Sequence, residues 1–175
     1  MHKWISRICL AFLMLSALLV SWAFTSSTAD LVTVAKVYDG DTLLVKDRNH
    51  SFKVRLAGID APETGYQERP GQPYSRKAKQ YLSRLVLYRQ VGLKTHGRGG
   101  YDRLLAEVFY EEKNINLAMV RAGLAEVYRG RRPQALDSDQ YLGAERRAKS
   151  EKAGMWQLGD AYVSPRQWRK KYPLK

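Results

Sequence analysis

The sequence predicts a mainly β architecture with helices (α+β): a closed barrel of five short strands carrying about three α-helices. Three observations point there. Residues 31–59 hold three runs rich in β-branched residues, separated by the turn signals Asp39-Gly40-Asp41 and Arg48-Asn49-His50. One amphipathic helical stretch interrupts the strands, and two further strands follow it before the pattern turns helical. No internal repeat and no sign of a second domain divides the chain.

Taken in order, LVTVAKVY (31–38) reads as the first strand, TLLVKD as the second and SFKVRLAGI as the third. Short turns make the three an antiparallel meander. TGYQERPGQPY (64–74) has Gly, Pro and polar residues without a period, and a loop of that length raises a functional expectation. SRKAKQYLSRLVLY follows with Ala78, Leu82, Leu85 and Val86 at helical spacing and Arg76, Lys77, Lys79 and Arg84 opposite. VGLKTH is the fourth strand, GRGG (97–100) a turn, and YDRLLAEVFY the fifth strand. NINLAMVRAG predicts a short helix capped by Asn114 and stopped by Gly123. LAEVY is a short extended piece. A last helix is expected from Asp137 or Ser138 to Gly154, with Met155-Trp156 packing its end onto the body. Five strands with an inserted helix fit a barrel of the OB type, which also leaves no free strand edge.

The first residues read differently. MHKWISR is basic, ICLAFLMLSALLV is an apolar run of thirteen, and small residues follow. This three-part pattern predicts a secretory signal over 1–29, cleaved after Ala29 or after Ala23. The alternative is an uncleaved anchor over residues 8–24, at the short limit for crossing a bilayer. The division expected is therefore 1–29 signal or anchor, 30–158 folded domain and 159–175 a basic tail, solvated and frayed. The expected location is outside the cytoplasm, secreted or periplasmic, or else membrane-anchored through that N-terminal segment alone.

The only cysteine, Cys9, lies in the signal, so disulfides and a cysteine-based zinc site are excluded for the mature chain. His2, His50 and His96 are scattered, which argues against a histidine metal site. The remaining chain of about 145 residues is long enough to fold on its core alone. The formal net charge is +13; loss of Lys3 and Arg7 with the signal leaves 28 basic against 17 acidic residues, a net +11. Such an excess predicts a polyanionic partner, nucleic acid first.

Three polar clusters are out of place in a plain barrel: Asp39-Gly40-Asp41-Thr42, Arg55 with Asp60 and Glu63, and Tyr101-Asp102-Arg103. Singly each has a structural explanation as a turn, a strand exit or a strand start. Jointly they supply what phosphodiester hydrolysis needs. Asp41 and Asp60 offer hard oxygen ligands for Ca²⁺ or a similar ion. Glu63 would handle the water. Arg55 and Arg103 would clamp phosphate with a planar, bidentate geometry that lysine lacks.

YDGDTLLV, FKVRLAGIDAPE and YDRLLAEVF, followed by NLAMVRAGLAEVY and a charged helix ending in Gly-Met-Trp, resemble the staphylococcal nuclease (thermonuclease) family over residues 32–156. The resemblance implies an OB-fold, Ca²⁺-dependent endonuclease acting on DNA and RNA as a monomer and leaving 3′-phosphate ends. It implies Arg55, Glu63 and Arg103 as catalytic residues, Asp41, Asp60 and the Ala61 carbonyl as metal ligands, and Tyr101 and Tyr128 near the substrate. Two departures stand out: Asp102 replaces the usual glycine beside the arginine, and Gly100 replaces a lysine. The competing expectation is an OB-fold module that binds single strands without cutting them.

Overall fold

A computed structural model describes residues 31–173; the expected signal or anchor lies outside them. Five strands form the barrel: β1 (Val32–Val37), β2 (Thr42–Lys46), β3 (Ser51–Leu56), β5 (Gln90–Gly99) and β6 (Arg103–Tyr110). Their order is β3-β2-β1-β5-β6, and a parallel β3–β6 pairing closes the ring. The two-residue strands β4 (Ile59–Asp60) and β8 (Glu126–Val127) pair with each other, and β7 (Lys113–Asn114) extends β6. Alternation accounts for the core: Leu43, Val45, Val54, Leu56, Ala106 and Val108 point inward and are fully buried. In β1 a register shift between Val34 and Lys36 changes the phase, so that Val32, Val34 and Val37 all face inward.

Helix α1 (Ser75–Val86) follows the long loop and buries Ala78, Leu82 and Val86, as its periodicity predicts. Helix α2 (Ile115–Arg121) is capped by Asn114, whose side chain accepts from the Leu117 amide at 2.9 Å. Helix α3 (Ser138–Ser150) is capped by Asp137. It ends before Gly154, because Lys152 already turns left-handed at φ 49°. The ends of α2 and α3 meet at Gly123 and Gly154, both at positive φ, where the Met155 amide donates to the Gly123 carbonyl at 2.8 Å. A Cβ on Gly154 would lie 2.3 Å from that carbonyl oxygen, so the close approach requires glycine.

The expectation of about three helices is corrected. The described residues hold five helical segments, because a 3₁₀ segment (Gly154–Ala161) and helix α4 (Pro165–Lys171) follow α3. The tail is therefore not frayed through this stretch. Its start carries the signals of a helix N-terminus: Ser164 and Gln167 form a reciprocal capping box and Pro165 occupies the first turn. A second correction concerns the β5–β6 connection. β5 runs on to Gly99 through an irregularity between Thr95 and Arg98, and the turn falls at Gly100-Tyr101-Asp102. Tyr101 and Asp102 take φ of 60° and 53°, so Arg103 rather than Tyr101 opens β6.

Asn116, fully buried in α2, ties this scaffold together. Its Nδ2 donates to the Ala57 and Ala106 carbonyls at 2.9 and 3.0 Å, and its Oδ1 accepts from the Val108 amide at 3.0 Å. One side chain thereby fixes the exit of β3 against the middle of β6. Those are the segments that carry Arg55 and Arg103.

Candidate active site

Strand pairing brings the three polar clusters together. Thr42 pairs with Arg55 across β2–β3, and Arg55 pairs with Leu105 across β3–β6. Because Val54 and Leu56 point into the barrel, Arg55 between them points out. Arg103, two residues before Leu105, emerges on the same side. Asp41, at the head of β2, reaches this face through the turn at Gly40. A Cβ there would lie 2.6 Å from Cβ of Ala61 and 2.8 Å from Cβ of Ala78, so only glycine lets the Asp39–Asp41 turn lie against the β4 exit.

The outcome is a cavity of about 670 Å³ lined in part by Asp41, Arg55, Ala61, Glu63, Tyr101, Arg103 and Tyr128. Asp60, expected to share this cavity, does not line it; it lines a neighbouring pocket with Glu126 and Arg169 and connects to the cavity through Arg55. The Arg55 guanidinium bridges two carboxylates that are each 2% exposed, pairing with Asp41 and with Asp60 at 2.8 Å. Asp41 also accepts from the Thr42 hydroxyl at 3.0 Å and from the Ala61 amide at 2.8 Å. Asp39 stands behind it, accepting from the Asp41 amide at 2.9 Å. Burial pushes the Asp39 carboxyl up from its ordinary value, against the opposing pull of Arg55, Thr42 and, more weakly, Arg103. Both arginines therefore act on one carboxylate, a second sign that they converge.

Glu63 is held by the loop that follows it. Buried Gln72 accepts from the Glu63 amide at 3.0 Å and returns its own amide to the Glu63 carbonyl at 2.8 Å. The Glu63 carboxylate pairs with Arg69 of the same loop and, at 2.6 Å, with Arg169 of α4. Arg169 also engages both oxygens of Asp60, at 3.0 and 2.8 Å. The hydrogen bond to Asp60 leads the effects that hold its guanidinium above the ordinary arginine value. Gln72 extends its other end to the Val163 carbonyl at 2.6 Å, linking loop and tail.

Gln72, Arg69 and Arg169 carry no individual motif signal in the sequence. The one available pointer was the capping box and proline ahead of Arg169, which announce a helix but not where it docks.

The third cluster is resolved in a particular way. Asp102 pairs with Arg98 at the exposed hairpin tip and not with Arg103. Arg103 donates from Nε to the Gly100 carbonyl at 2.9 Å and lies over the Tyr101 ring, 5.5 Å from its centroid. Tyr101 is 93% exposed, so its ring is presented to solvent at the mouth of the cavity. Tyr128 also lines the cavity, positioned by its amide's bond to the Gly58 carbonyl at 2.9 Å.

Behind Asp60, Glu126 pairs with it across β4–β8. Burial raises the Glu126 carboxyl, which accepts from the Tyr162 hydroxyl at 2.5 Å. Chemically, the site offers two buried carboxylates as hard oxygen donors, a third carboxylate beside them and two cavity-facing arginines from the barrel strands. Such a donor set suits a cation that seeks oxygen. Among the described residues no group of three or more His, Cys, Asp or Glu side chains could hold a metal by itself. Backbone carbonyl and water would therefore complete any coordination shell.

A sequence profile of the family described as "Staphylococcal nuclease homologue" matches residues 53–158. An "Uncharacterized endonuclease" of Haemophilus influenzae is 40% identical over 138 residues, covering 78% of this chain and 71% of that protein. A "Probable endonuclease LCL3" of Leptosphaeria maculans is 35% identical over 136 residues, covering 68% of this chain and 46% of the fungal protein. Its namesake in Komagataella phaffii is 32% identical over 133 residues, with 73% and 58% covered. The chain thus spans about half the length of these fungal relatives. A profile match over more than half the chain, agreeing with relatives at these identities, decides the matter: the chain belongs to the staphylococcal nuclease family.

Proposed function

We propose that the protein is an exported, Ca²⁺-dependent endonuclease that hydrolyses phosphodiester bonds of DNA and RNA and leaves 3′-phosphate ends. Its enzyme class is that of its family, an endonuclease. Its closed five-stranded barrel fits the OB type, and it works as a monomer. The observation that carries the reading is the shared cavity: side chains from β2, β3, β6 and the β4 exit meet on one face, with Tyr101 and Tyr128 in its lining.

Asp41, Asp60 and the Ala61 carbonyl would hold the ion. When bound, it would polarise a phosphate oxygen and offset negative charge developing at phosphorus. Arg55 and Arg103 would donate to the non-bridging oxygens, more strongly as they gain charge in the transition state. Glu63 would accept a hydrogen bond from the attacking water and orient its oxygen toward phosphorus. That oxygen forms the new P–O bond while the P–O5′ bond breaks, and the water's proton passes toward Glu63. The 5′ oxygen takes a proton from a solvent water as it leaves and becomes a hydroxyl, and the phosphate stays on the 3′ side. Tyr101 and Tyr128 would receive the flanking nucleotide, where exposed rings stack on bases of any sequence.

A 5′-labelled single-stranded oligonucleotide tests the reading, incubated with Ca²⁺ or with a chelator. Ca²⁺-dependent fragments whose 3′ ends are phosphatase-sensitive are expected. Salt-sensitive binding without strand breaks would replace the enzyme with a binding module. Export is tested by mass spectrometry of the mature N-terminus, expected at Asp30.

A further inference from the structure

Helix α4 brings a cation to Asp60, one of the carboxylates assigned to the ion, and to Glu63, the carboxylate assigned to the water. Arg169 covers both oxygens of Asp60, at 3.0 and 2.8 Å, and reaches Glu63 at 2.6 Å. With Arg55 Nη2 also on Asp60 at 2.8 Å, that carboxylate receives three charge-assisted hydrogen bonds. A carboxylate has about four acceptor positions in all. A divalent ion on Asp60 would therefore meet a crowded group and a like charge at contact distance.

The two guanidiniums differ in what holds them. Arg55 belongs to a barrel strand registered on both sides, and its side chain is 18% exposed. Arg169 is 35% exposed and belongs to a seven-residue helix whose one buried residue is Pro165. That helix is attached by the Trp168 indole donating to the Pro70 carbonyl at 3.2 Å and by the Gln72–Val163 bond just ahead of it. The removable cation is Arg169.

We propose that Arg169 and the divalent ion compete for Asp60, so that helix α4 is a strap over the metal site: docking lowers ion affinity, and the ion loosens the strap. The inference rests on the calcium reading above. Linkage makes the coupling reciprocal, the same factor acting in both directions.

The test uses calorimetric titration of Ca²⁺ into the full chain and into Arg169→Gln, without nucleic acid. The variant is expected to bind Ca²⁺ about 10-fold more tightly, within the usual range of coupling between sites. Amide hydrogen exchange over residues 164–172 of the unmodified chain is expected to quicken at saturating Ca²⁺, a readout that needs no variant. Equal or weaker binding by Arg169→Gln, with binding abolished by Asp60→Asn, overturns the competition and leaves the calcium reading intact. Exchange unmoved by Ca²⁺ overturns it equally. No Ca²⁺ binding by either protein removes both readings together.

Discussion

Asn116→Ala tests whether the catalytic strands are held together as described. Asn116 is fully buried and makes three hydrogen bonds. Truncation leaves the Val108 amide and the Ala57 carbonyl without those partners. The Ala106 carbonyl keeps the Ala57 amide at 2.7 Å. Two newly unsatisfied buried groups cost about 1–3 kcal/mol each, roughly 4 kcal/mol in all. The better helix propensity of alanine returns about 0.5 kcal/mol. The net loss expected is about 3–4 kcal/mol, which for a domain of this size lowers Tm by roughly 10 °C. Urea denaturation with unchanged slope gives the free energy, and a thermal melt gives the temperature. Cleavage should also weaken below the melt, because the β3 exit and β6 lose their common tie. A stability loss under about 1 kcal/mol would refute the reasoning, since only hydrogen bonds of little net value could be removed so cheaply.

Two further outcomes follow from the same geometry. Gln72→Ala should speed hydrogen exchange across 64–74 and lower kcat by about 10-fold, because misplacing a catalytic group by a fraction of an ångström is costly; unchanged exchange and rate would contradict its anchoring of Glu63. Burial raises Glu107, but hydrogen bonds from His96, Lys94, Asn114 and Tyr141 outweigh it and leave the carboxyl below its ordinary 4.5. A depressed carboxyl stabilises the fold above the unfolded value, and that contribution is lost as pH falls through the folded one. Glu107→Gln should therefore be less stable at pH 7 by about 1–3 kcal/mol, yet lose less Tm than the parent chain between pH 7 and pH 3; parallel pH profiles would contradict this.

The barrel was legible because its strands obey local rules. Alternation in TLLVK and FKVRL marks which residues turn inward, and short turns dictate the antiparallel meander. Closure by a parallel β3–β6 pairing depends on non-local contacts that leave no local pattern. The GRGG stretch misled for a related reason: glycines signal a turn, but here Gly97 falls in a strand irregularity and Gly99 still pairs in β5, so the turn comes later, at Gly100-Tyr101-Asp102. The convergence of Asp41, Arg55, Glu63 and Arg103 was legible because three motifs carry residue types that packing does not require. Arg69, Gln72 and Arg169 were not, since one arginine or glutamine in a basic loop or tail resembles any solvated neighbour. Only the tertiary fold shows that residues 106 apart in the chain meet at 2.6 Å across Glu63. Nor does any local pattern show that Asp102, the departure beside Arg103, pairs with Arg98.

The central claim is that these side chains form one phosphodiester-cleaving site. Arg103→Ala isolates it, because Arg103 is partly exposed and its side-chain contacts, with Gly100 and Tyr101, are local. The account predicts that kcat/KM for Ca²⁺-dependent cleavage of single-stranded DNA falls by about 10²–10³-fold, with the melting temperature essentially unmoved. Cleavage retained within about threefold, well short of the loss of a transition-state donor, would contradict it.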